Sequence, residues 1–228
     1  MRKICLSVII LLACGLSSCL TTMQPLVTQD KVVVDNRVCG DWNTEDGELR
    51  ITPFMLSETR KSIGDEPVFS NGKPILDNKI SPADKKRAEH TFELSFTRNG
   101  VKHYMLMQMM KINGALYGNL VPLFAGEIGK DKVEGGMNIA ESEYMPGYTI
   151  AKIDVLDNGQ LSVKFADGDF IKKQLLAGNM KLKYEHDALF GTFVVTASSA
   201  DLQQFVAKYG NDERLFGSKN AITLNKKG

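Results

Sequence analysis

From about residue 39 onward the apolar positions recur mostly with a period of two, which predicts a chain built of β-strands. Thr91 to Arg98 alternates cleanly, with Phe92, Leu94 and Phe96 on one face and Thr91, Glu93, Ser95 and Thr97 on the other. Asn99-Gly100 then has the composition of a tight hairpin turn, whose two central positions need positive φ. Val101 to Ile112 returns, Asn113-Gly114 makes a second such turn, and Ala115 to Phe124 follows. Three strands in an up-down-up meander are therefore expected. Glu48 to Thr52 is a shorter strand that ends at Pro53, and Tyr148 to Leu156, Asn158-Gly159 and Leu161 to Phe165 make another hairpin. Met180, Leu182 and Tyr184 alternate with Lys181, Lys183 and Glu185, and Phe190 to Ala197 reads as an apolar strand.

Helices are few. Ser81-Pro82-Ala83-Asp84 places Pro at a first helical position, continued by Lys85 to Glu89. Asp169 is a candidate cap for Phe170 to Ala177, which stops at Gly178. Ser198-Ser199-Ala200-Asp201 resembles a capping box and leads into Leu202, Phe205, Val206 and Tyr209 on one face, ended by Gly210. The fold class expected is mainly β, an antiparallel barrel or sandwich of hairpins with a short C-terminal helix packed on it. Gly126 to Gly147 is a long glycine-rich loop without periodicity; it is either a functional loop or, at 126–147, a break between two β subdomains.

The first residues follow another rule. Arg2 and Lys3 precede an apolar run from Ile4 to Leu16, of signal-peptide length and short for a membrane-spanning helix. Leu16-Ser17-Ser18-Cys19 resembles the lipobox of bacterial lipoproteins, in which an apolar residue and two small ones precede the cysteine that becomes the new N-terminus. Cys14 is a second candidate, but Leu12 is bulky where the family prefers a smaller residue. The resemblance implies a signal peptide over 1–18 and a lipidated N-terminus with tether over 19–36, the polar stretch from Leu20 to about Lys31 being the tether. A single globular domain over 37–228 follows. It also implies membrane attachment through the lipid, with Leu20 after the cysteine favouring the outer membrane, facing the periplasm.

Composition narrows the partners. Hydrophobic residues make up 43% and charged residues 24% of 228 residues, values of a globular protein that can build a core. The formal charge of +1 argues against nucleic acid as a partner, which normally demands a basic excess. Cleavage would remove Arg2 and Lys3, leaving 26 basic against 27 acidic residues, so the lipid and not a basic patch would hold the membrane. Cys5 and Cys14 would leave with the signal, Cys19 would carry lipid, and Cys39 alone remains, so the mature chain has no intrachain disulfide. Cys39 is either a small buried hydrophobe or an exposed thiol.

No catalytic constellation emerges. His90, His103 and His186 show no second His at metal-ligand spacing, and His186-Asp187 reads as a turn dipeptide. Gly126 to Lys130 lacks the spacing and the following Ser/Thr of a phosphate loop. Asp154, Asp157, Asp167 and Asp169 lack calcium-loop spacing. One strand offers sharper chemistry: His103, Met105, Met107 and Met109 share a face of Val101 to Ile112, and imidazole with thioether selects Cu(I). The alternative is that these methionines fill an irregular core or line an apolar pocket.

Gly40-Asp41-Trp42 carries the only Trp, just before Glu48 to Thr52. It resembles the G-x-W signature that opens the barrel of lipocalins, which implies that Trp42 plugs a barrel end and that an apolar ligand is enclosed. The other reading is a Trp packed at a core edge. This chain has no T-D-Y counterpart, and Arg214 follows the late helix instead of ending a strand. Strand Gly191 to Ala197, the helix after it and Leu215-Phe216 also resemble a pattern of uncharacterised bacterial envelope proteins. The function expected is a lipid-anchored envelope protein that binds a protein partner or apolar ligand, without catalysis or cofactor. The alternatives are a Cu(I)-binding module at His103/Met105/Met107 and an envelope enzyme with no recognisable motif.

Overall fold

The computed structural model describes residues 19–45, 47–57, 69–70, 73–74, 82–98, 100–125 and 147–227. The strands are β1 (Thr21–Thr22), β2 (Gly40–Thr44), β3 (Gly47–Pro53), β4 (Phe69–Ser70), β5 (Lys73–Pro74), β6 (Phe92–Arg98), β7 (Val101–Ile112), β8 (Ala115–Ala125), β9 (Tyr148–Val155), β10 (Leu161–Phe165), β11 (Tyr184–Asp187), β12 (Thr192–Val195) and β13 (Ala221–Lys226). The α-helices are α1 (Pro82–Glu89), α2 (Gly168–Leu176) and α3 (Ser199–Tyr209).

Strands β2, β3, β6, β7, β8, β9, β10 and β13 pair antiparallel in that order, and β13 returns to β2, closing an eight-stranded barrel. Of the two folds expected, the barrel is the one adopted. Its hairpins obey the turn chemistry read from the sequence: Asn113 and Gly114 have φ of 50° and 81°. Asn99 lies outside the described residues, but Arg98 pairs with Val101 across it and Gly100. Strands β8 and β9 pair directly from Leu116–Ile153 to Leu120–Thr149, so the chain on either side of 126–147 belongs to one barrel. Residues 126–146 themselves lie outside the described residues.

Barrels of eight strands leave just enough interior for side chains to fill. Here Trp42, Ile51, Phe92, Leu94, Met107, Met109, Leu120, Ile153, Leu161 and Leu224 form one contiguous buried cluster inside. A second cluster lies outside the wall, where Met110, Tyr117 and Ile150 meet Leu20, Leu26, Ile171, Val195, Leu202, Phe205 and Phe216. Strands β7 to β9 are thus buried on both faces along part of their length. Strand β6 is covered outside as well: Thr91, Glu93 and Ser95, placed on its polar face, are all buried. Thr91 donates its hydroxyl to the Arg87 carbonyl at the end of α1 (2.7 Å) and accepts from the Gln108 amide (3.1 Å).

The segment expected to be a tether is a folded strap. Leu20, Thr22, Leu26 and Val27 are buried. β1 pairs antiparallel with β9 and parallel with β12. The Leu26 amide donates to Asn119 Oδ1 (2.9 Å), Gln203 of α3 donates to the Leu26 carbonyl (2.9 Å), and the Val33 amide donates to the Met109 carbonyl (2.7 Å). Apolar side chains at positions 20, 26 and 27, together with this pairing, dock a segment whose composition is otherwise that of a linker.

Three local expectations also change. The N-cap of α2 is Asp167, whose carboxylate accepts from the Phe170 amide (2.8 Å); Asp169 sits in the first turn. Residues 180–183 are irregular, because the amides of Asn179 and Met180 both turn back to the Gln174 carbonyl. Phe190 belongs to the turn before β12 and stands in solvent. The capping of α3 is as expected, with Ser198 Oγ accepting from the Asp201 amide (3.2 Å) and donating to its carboxylate (2.7 Å).

Candidate functional site

The end of the barrel around Trp42 is built by its neighbours in sequence. Asp35 accepts from the Arg37 amide, opening a 3-10 turn over Asn36–Val38 that lies across the barrel end. The Arg37 guanidinium bonded to Asp35 holds that carboxyl below the usual range. Gly40, at φ 144°, then redirects the chain into β2, a conformation that disfavours any residue with a Cβ. Trp42 is 1% exposed and donates from Nε1 to the Val38 carbonyl (3.0 Å). Lys226, opposite it at the end of β13, sets its ammonium 5.7 Å from the indole ring. Arg214 is elsewhere, paired with Asp212 (2.6 Å) and lying over Phe170. Cys39 is half-buried against the barrel core, and burial pushes its thiol up.

The soft-ligand face of β7 turns into the barrel. Met109 is 0% exposed and Met107 3%, and Met105 packs against the same cluster. Their partners across the ladders are Leu94 and Pro122 for Met105, Phe92 and Leu120 for Met107, and Gly118 for Met109. His103, nearer the opposite end, stacks on Phe96 with ring centres 5.2 Å apart. These thioethers fill core space between apolar neighbours, the use to which a flexible side chain is suited. Among the described residues, no group of three or more His, Cys, Asp or Glu side chains could hold a metal ion.

His186 and Asp187 do not act on each other as base and orienter. Asp187 Oδ1 accepts from the amides of Leu189 (2.8 Å) and Phe190 (3.0 Å), which shapes the β11–β12 turn. The His186 ring meets Phe193 instead (6.3 Å). Asp154 pairs with Lys164 across β9 and β10 (2.8 Å). Gly126 to Lys130 lies outside the described residues.

Sequence reading missed a groove on the outer core. It has a volume of ≈ 590 Å³ and runs between the irregular stretch after α2 and the side of α3. Met180, Phe205 and Tyr209 supply its apolar surface, and Lys181, Lys183 and Lys208 its cations. Asp201 is the acidic residue along it. The alternation from Met180 to Glu185 was its only signal, and that pattern pointed to a strand.

Cys19, the residue placed at the lipidation site, sits where the strap begins. It bridges to Asp167, and the Leu20 amide donates to the Ala166 carbonyl (3.1 Å). Burial, and behind it the Asp167 carboxylate, pushes the Cys19 thiol up to about 11. No family model, curated protein or solved structure matches this chain. Of the residues singled out in advance, Trp42, Met105, Met107 and Met109 share the barrel core, His103 lies along the same strand, and Cys19 stands apart on the outside. No helix among the described residues is long and apolar enough to cross a membrane.

Proposed function

We propose that this chain is a bacterial envelope lipoprotein, anchored through acylated Cys19 in the outer membrane and facing the periplasm, that works by binding and not by catalysis. The observation that carries the anchor is the order of residues: Arg2-Lys3, an apolar run, then Leu16-Ser17-Ser18-Cys19. The raised thiol supports a particular sequence of events. Burial of Cys19 in the docked strap, which raises its thiol, leaves the sulfur less accessible than in the undocked chain, and this supports acylation before the strap docks.

The filled barrel shifts the binding reading away from an enclosed ligand. With Trp42, Phe92, Met107 and Met109 packed in the interior, an apolar molecule has less claim on the lumen than an extended partner segment has on the outer groove. Lys181, Lys183 and Lys208 around an apolar floor suit an acidic, partly apolar segment of another envelope protein.

Intact mass of the protein extracted from host membranes tests the anchor. The product is expected to begin at Cys19 and carry diacylglycerol, with Cys19→Ala unprocessed. A product of unmodified mass, or wild-type membrane fractionation in Cys19→Ala, overturns the reading.

A further inference from the structure

The turn between β11 and β12 displays two large apolar side chains that stand open to solvent among the described residues. Leu189 is 86% exposed and Phe190 78%. The turn is not loose: Asp187 accepts from both of their amides, and β11 and β12 pair through four registered positions. A framework that holds two hydrophobes outward in a fixed geometry is organised for contact.

The strap says on which side of the molecule that turn lies. β1 and β12 run parallel with Thr22 opposite Val195, so the chain preceding Thr22 and the chain preceding Val195 leave in the same direction. Cys19 is three residues before Thr22, and Phe190 is five before Val195. β12 runs back three residues from Val195 to Thr192, about as far as Cys19 lies from Thr22, so the turn that carries Phe190 begins level with Cys19 at the same end of the strap. The Lys172 ammonium, 5.8 Å from the Phe193 ring, adds a cation near the same end of the hairpin.

We infer that Leu189 and Phe190 form a membrane-inserting tip, which enters the same bilayer leaflet that holds the lipid on Cys19. This rests on the lipid anchor proposed above. With Leu20 buried and the strap docked, no slack separates the acyl chains from the body, so the surface around Cys19 lies on the membrane. A turn that begins level with the attachment point then presents Leu189 and Phe190 to the interface, where amphipathic elements seat their apolar side chains about 5–10 Å deep. The lipid and the tip together fix the tilt of the body and keep the rest of its surface turned toward the periplasm.

The test uses the full lipidated protein in phosphatidylethanolamine/phosphatidylglycerol vesicles whose acyl chains carry bromine. Phe190→Trp, and separately Leu189→Trp, add an indole at the tip; Trp42, sealed in the barrel, serves as the internal reference. The added emission is expected to fall about twofold or more in brominated vesicles, while the parent protein is unaffected. An unquenched tip in protein whose mass shows the diacylglycerol overturns the inference while leaving the anchor standing. Protection that appears only as protein concentration rises, without quenching, also overturns it and assigns the tip to a second copy. Absence of the lipid mass removes the anchor and this inference with it.

Discussion

The barrel interior and the outer core are two hydrophobic clusters of similar make-up that arise in different ways. Inside, the contributors come largely from strands joined by hairpins, so Phe92, Leu94, Met105 and Met107 meet because short turns fix their register. Outside, Tyr117 meets Phe216, and Leu26, Leu202, Ile150, Val195 and Leu20 share one cluster. No turn brings these together. The wall between the clusters explains the composition of β7: Met107 and Met109 face in, Met110 faces out, and the strand reads Met-Leu-Met-Gln-Met-Met instead of alternating with charge. The lesson is that the barrel is locally determined, whereas the outer core depends on an N-terminal strap and a C-terminal helix finding each other.

The largest effect should come from the barrel. Trp42→Ala is expected to cost about 3–5 kcal/mol by opening a cavity at the barrel end, read by circular dichroism in urea. A loss under about 1 kcal/mol would mean that the end is sealed without the indole. Asn119→Ala should separate the two cores, because it strips the buried Leu26 amide of its acceptor at a cost of about 1–3 kcal/mol. Hydrogen exchange should then quicken over residues 20–33 and leave β2, β3 and β6 unchanged; uniform quickening would show one cooperative unit. Ser198→Ala is expected to cost about 1 kcal/mol through the lost α3 cap, with the same local signature.

The smallest effects are chemical. In the processed protein Cys39 is the one free thiol expected, and burial raises it, so maleimide labelling of the folded protein should accelerate at a higher pH than labelling in urea. Coincident pH profiles would place the thiol in open solvent. Asp35 titrates with the opposite sign. Its carboxyl is held low by Arg37, so its contribution is complete above about pH 4 and is lost as pH falls through the lowered value. Asp35→Asn should flatten that limb of the acid unfolding curve by a few tenths of a kcal/mol, as suits a pair whose guanidinium is solvated (~0–1 kcal/mol).

Much of the barrel was legible beforehand. The pattern from Val101 to Ile112 matches β7 to the residue, and Asn113-Gly114 and Asn158-Gly159 mark turns, because alternation and positive-φ residues are local signals. The strap was not legible: its polar residues imitate a linker, and only the distant Asn119 and Gln203 reveal why Leu26 is buried. The cap of α2 is Asp167, two residues before the Asp169 that the sequence suggests, because backbone geometry and not residue type decides which carboxylate faces the first amides. Of the site, the thioethers of β7 were found but their surroundings were not, since a strand pattern gives the shared face and not what stands opposite. The groove needed 178–183 and α3 side by side, which no window of sequence contains.

The ring closes through one ladder of consequence, between β13 and β2, which joins Lys226 to Trp42 and Asn225 to Asn43. Strands from opposite extremes of the polypeptide are therefore neighbours, and contacts so remote along the chain are the slowest to form. Until β13 docks, β2 and β10 each keep a bare edge. Without β13 the ring stays open, and the unpaired edges of β2 and β10 are free to accept another strand.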